Sequence, residues 1–109
     1  MLAVQERRCE GEASAEGVLR VTVLDAEGEP LPNVELLIRW QAGEDRFFTG
    51  LKPERGAGYA DYVLAAGESY EVGIVGTASD LAQGMVADVC FDGARASWVL
   101  VFRLRDGTP

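Results

Sequence analysis

A chain of 109 residues, 48% hydrophobic and 26% charged, has the composition of an ordinary globular domain and fits one such domain. Its net charge of −8 repels nucleic-acid phosphates and anionic membrane surfaces, and no apolar run nears the ~20 residues that span a bilayer. The chain has no histidine, so Ser-His and Cys-His nucleophilic centres are excluded.

Residues 1–16 are mostly polar, small and acidic and read as a lead-in or linker. The stretch 17–40 then organises the chain. Leu19, Val21 and Val23 alternate with Arg20 and Thr22, the period of a half-buried strand over 18–24. Asp25, Gly28, Pro30, Pro32 and Asn33 concentrate turn chemistry. Val34, Leu36, Ile38 and Trp40 resume the alternation in a strand over 33–41. A polar turn at 42–45 leads to a third strand, 46–49, expected to pair with the second as a hairpin.

Residues 50–58 form the longest loop rich in glycine and proline, and strands follow at 59–64 and 69–75. Residues 79–83 can make one helical turn. The strand expected at 84–91 places Met85, Ala87, Val89 and Phe91 on the core face, with Val86, Asp88 and Cys90 on the other. The last strand, 97–105, turns Trp98, Leu100, Phe102 and Leu104 inward, and 106–109 is a tail. Seven strands without a convincing helix predict an all-β fold, a seven-stranded antiparallel β-sandwich of Ig-like or transthyretin-like kind over 17–105.

Gly17, Asp25, Gly28, Pro30 and Leu31, followed by Val34, resemble the opening of carboxypeptidase regulatory-like and CnaB-type domains, the transthyretin-like sandwiches. Thr49-Gly50, Gly58-Tyr59 and the run Gly67, Tyr70, Val72 resemble a second patch of that family. The likeness covers residues 17 to about 75 and rests on backbone motifs. It implies a module of a longer extracellular chain. Two active subfamilies leave marks that can be sought here. CnaB adhesin domains join a first-strand lysine to a last-strand asparagine or aspartate. Here the first strand has Arg20, the sole lysine is Lys52 in a loop, and the last strand has neither acceptor. The transthyretin-like hydrolases rely on histidines, which this chain lacks.

The candidate sites are few. Asp25, Glu27 and Glu29 can offer three carboxylates to calcium, a cation that takes oxygen ligands, although a solvated turn accounts for the same residues. Gly56 and Gly58 suggest a tight loop, since no helix follows to complete a phosphate cradle. Phe47 and Phe48 are neighbours on one strand and face opposite sides, so one of them is exposed unless covered. Beside Tyr59 it would offer an aromatic contact to sugar or protein. Cys90 on an outward face lies within reach of Cys9 in the lead-in, which predicts a disulfide and an oxidising compartment.

The sequence therefore predicts a non-catalytic, cofactor-free module of a secreted or cell-surface protein. It would act as a structural spacer or protein-interaction domain, its partners being neighbouring domains or other proteins. The alternative is a carbohydrate- or peptide-binding module that uses the aromatic loop patch.

Overall fold

Apolar residues at every second position give each inner strand one face that water disfavours, and two sheets laid face to face remove those faces together. The computed structural model, which describes residues 2–9, 16–76, 81–90, 93 and 95–104, has this architecture. Its strands are β1 (Leu2–Arg8), β2 (Val18–Leu24), β3 (Glu35–Trp40), β4 (Gly43–Phe48), β5 (Tyr59–Val63), β6 (Ser69–Ile74), β7 (Ala82–Val86) and β8 (Ser97–Arg103). One sheet runs β1-β8-β2-β5 and the other β4-β3-β6-β7. The only helical element among the described residues is a short 3₁₀ turn at Pro53–Arg55.

The core follows the alternation read from the sequence. Leu19, Val21 and Val23 of β2, Leu36 and Ile38 of β3, Val72 of β6, and Leu100 and Phe102 of β8 are fully enclosed. The expected hairpin of β3 and β4 forms, with Trp40 opposite Gly43 and a two-residue turn at Gln41 and Ala42, earlier than the turn expected at 42–45.

Several expectations are corrected. Among the described residues the strands number eight, because residues 2–8 of the expected lead-in form β1, antiparallel to β8. Nearly all of β1 is exposed, so backbone bonding to β8 rather than an apolar face holds it in the sheet. The β2–β8 pair is parallel, whereas the other pairs are antiparallel. The strand expected at 84–91 is β7, which stops at Val86. Beyond it the facing reverses: Val89 is 50% exposed and Cys90 is 4% exposed. Trp98 is half-buried at the rim of the core, not at its centre. Ala82 and Gln83 are strand, so no helical turn includes them. Residues 79 and 80, Phe91 and the tail at 106–109 lie outside the described residues.

Two lateral seams close the sandwich. At the β1–β7 seam, Gln5 Nε2 donates to the Gln83 carbonyl at 2.7 Å. Arg7 donates from Nη2 and Nε to Asp88 Oδ1 at 3.0 and 3.2 Å. A disulfide joins Cys9 to Cys90. At the β4–β5 seam, the Tyr62 hydroxyl donates to Asp45 Oδ2 at 2.7 Å, and its ring packs 5.4 Å from that of Phe47.

Candidate functional site

The turn after β2 is built from its own backbone needs. Asp25 Oδ1 accepts from the backbone N–H of both Glu27 and Glu29 at 2.9 Å. These are the bonds of a turn closed by its own carboxylate. The described residues contain no group of three or more cysteine or acidic side chains arranged to hold a metal. Gly58 has a different purpose from a phosphate cradle. A Cβ there would lie 2.4 Å from the Val23 carbonyl, so the close crossing of loop and strand requires glycine.

Thr49 joins the loop before β3 to the end of β4. It is fully buried, accepts from the Val34 N–H at 3.0 Å and donates to the Leu31 carbonyl at 2.7 Å. Thr49 and Gly58, two residues of the family-like motifs, thus serve as backbone closures.

The three aromatic candidates border one small depression but differ in exposure. Phe47 is 9% exposed and belongs to the core, while Phe48 is 41% exposed on the opposite face. Tyr59 is half-buried beneath the Arg55 guanidinium, 5.7 Å from its ring centroid, and its hydroxyl donates to Asp61 Oδ2 at 3.0 Å. Lys52 Nζ donates to both oxygens of Asp61, at 2.8 and 3.0 Å. Phe47, Phe48, Leu51, Lys52, Tyr59 and Asp61 border a small 120 Å³ depression.

The charges at this seam hold one another in place. Burial pushes the Asp61 carboxyl up, but hydrogen bonds from Lys52 and Tyr59 outweigh it and leave the group below its ordinary range. The hydrogen bond to Asp61, with the attraction of its charge, raises Lys52. Burial, then the bond to Asp61, raises Tyr59. Burial and the Asp45 contact push Tyr62 up to about 12, and the same hydrogen bond lowers Asp45.

The largest concavity among those described lies elsewhere, where β3, β6 and β7 approach the β3–β4 turn. It measures 370 Å³ and is bordered by Arg39, Trp40, Gln41, Ser69, Glu71 and Gln83. A β-bulge opens it. Tyr70 pairs with Met85 but Val72 pairs with Ala82, so β7 carries one extra residue between them. Gly84 sits in that bulge with φ +75°, a backbone region glycine enters without strain, and it leaves the space beside it open. Sequence reasoning missed this groove. Its one local signal is a glycine within a strand, which commonly marks a bulge.

No family model matches the chain, and no curated protein matches it in sequence. Its likeness is to solved structures. The pilus adhesin SpaC from Lactobacillus rhamnosus GG aligns with a TM-score of 0.55 and 12% identity over 82% of this chain and 14% of that one. A C-terminal fragment of the same adhesin aligns at 0.54 and 11% over 86% of this chain and 47% of the fragment. The Bacillus anthracis TIE protein aligns at 0.50 and 12% over 84% of this chain and 16% of that one. This chain therefore spans less than half the length of each, and what it has in common with them is the fold.

Proposed function

We propose that this chain is a non-catalytic β-sandwich module, of carboxypeptidase regulatory-like or CnaB-type kind, in a secreted or cell-surface protein. It serves as a structural or protein-interaction domain beside other domains. The observation that carries this reading is the Cys9–Cys90 disulfide, because such bonds persist in oxidising compartments and are rare in the cytosol. The fold held in common with a pilus adhesin supports the same setting.

The chemistry of the described side chains supports a role in contact rather than turnover. Both thiols are consumed in the disulfide, and the chain has no histidine to activate a hydroxyl. Asp25 closes a turn, Asp45 accepts from Tyr62, and Asp61 is held by Lys52 and Tyr59. The test is alkylation under denaturing conditions of protein exported to an oxidising compartment. No adduct before reduction and two after it are expected. Two adducts without reductant would refute the disulfide and the compartment inferred from it.

A further inference from the structure

We infer that the groove beside Trp40 binds a neutral oligosaccharide. This deepens the reading of the chain as an interaction module and rests on it. At 370 Å³ the groove falls within the roughly 300–1,000 Å³ of small-molecule sites. Past Arg39 and Glu71, which border both, it adjoins a 190 Å³ depression where Leu81 stands over Gly73.

Trp40, partly buried against the core, supplies an aromatic ring to the lining. Its ring is positioned by Tyr70 at 5.6 Å and Tyr62 at 6.5 Å between centroids. The other tryptophan gives a contrast: Trp98 donates its indole N–H to the Val86 carbonyl at 3.0 Å, whereas the Trp40 indole N–H has no partner among the described residues. A fixed apolar ring with a free donor at its edge matches a pyranose, which presents a C–H face bordered by hydroxyls.

The surrounding groups fit hydroxyls better than charges. The Gln41 and Ser69 side chains have no partner among the described residues. Glu71 meets Gln83 Nε2 only at 3.5 Å, and Arg39 meets Glu44 at 3.5 Å. These long contacts leave planar groups with donors and acceptors to spare, which neighbouring hydroxyls satisfy. The mixture of Arg39 with Glu44 and Glu71 offers no net attraction to an anionic sugar or an acidic peptide, and the chain's net charge of −8 opposes both. A proline-rich peptide would need a row of aromatic faces. Trp40 and Tyr70 are the aromatic residues of this lining, and Tyr70 is buried.

The experiment is an amide and indole NMR titration of the intact, oxidised chain with maltotriose, cellotriose, chitotriose and lactose, each taken to its solubility limit. Saturable movement of the Trp40 indole signal and the Gln41 and Gln83 side-chain amides is expected with at least one sugar, while the Trp98 indole stays still. Gln41→Ala, an exposed change, should weaken that binding about five-fold at an unchanged melting temperature. Trp40→Phe keeps an aromatic filler and should weaken it further. No response from Trp40 to any of the sugars overturns the inference, as does equal binding by Gln41→Ala, or occupation of the groove by a proline-rich peptide in place of the sugars. Each of those failures leaves the alkylation result, and hence the module reading, where it stood.

Discussion

Replacing Thr49 by valine removes a hydroxyl and keeps the shape of the side chain. Thr49 is fully buried, and its hydroxyl serves both the Val34 N–H and the Leu31 carbonyl. In the valine variant the Val34 N–H and the Leu31 carbonyl both lose a partner, and each such group left unmade costs about 1–3 kcal/mol. The added methyl returns at most about 0.8 kcal/mol through burial. A net loss of about 2 kcal/mol would lower the melting temperature of a domain this size by about 10 °C. Thr49→Ser supplies the counterpart, because it keeps the hydroxyl and removes the methyl at a cost of about 1 kcal/mol. Thermal unfolding followed by near-ultraviolet circular dichroism ranks the two. Valine should be the more damaging, and amide exchange at Asn33 and Val34 should quicken in that variant. A serine variant less stable than the valine variant would refute the assignment of Thr49 as a hydrogen-bonding closure and make it an ordinary packing residue.

Phe102 is fully buried and Trp98 half-buried, so Phe102→Ala should cost about 3–5 kcal/mol in chemical denaturation, and Trp98→Ala less. The reverse order would move the centre of the core toward Trp98. Tyr62 should stay protonated in the folded chain well above its ordinary value of 10.0, since burial and Asp45 push it to about 12. The unfolded chain releases that proton first, so the contribution is complete below about pH 10 and disappears as pH rises through about 12. Tyrosinate absorbance compared between the parent chain and Tyr62→Phe measures it; a Tyr62 that ionises with an ordinary tyrosine would mean that the contact to Asp45 does not form.

The alternation of Leu19, Val21 and Val23, and of Tyr70, Val72 and Ile74, is legible because one face of each strand meets only the interior between the sheets. Strand β1 is hidden for the converse reason. Its side chains are nearly all exposed, so its place in the sheet leaves no period in the sequence. The parallel direction of β2 against β8 is equally hidden, since alternation carries no direction. The Cys9–Cys90 pairing follows from the sequence by way of a wrong facing: Cys90 is buried, because the chain leaves strand geometry after Val86. The opposed facings of Phe47 and Phe48 follow from adjacency alone, and the exposed Phe48 borders one depression with Tyr59, but the hold of Arg55 and Asp61 on Tyr59 depends on a loop and leaves no pattern in the sequence. The groove at Trp40 depends on an extra residue in β7 and on three separate strands, and no local pattern encodes such a meeting.

The disulfide also fixes how the fold would bear tension. Leu2 pairs with Phe102, so the outer ends of β1 and β8 lie at one pole, while Cys9 follows β1 and Cys90 precedes β8 at the other. A pull between residues 2 and 104 runs along β1 to Cys9, crosses the sulfur atoms to Cys90 and returns through β8. Residues 10–89 are outside that covalent path. Force applied at the pole first peels β1, which pairs with one strand only and meets the other sheet through the side chains of Gln5 and Arg7, and the peeling stops at Cys9. Strands β2 to β7 bear no direct load while the bond is closed. Once it is reduced, the whole chain between the two ends lies in the line of force, so oxidation sets how much of the protein can be drawn out.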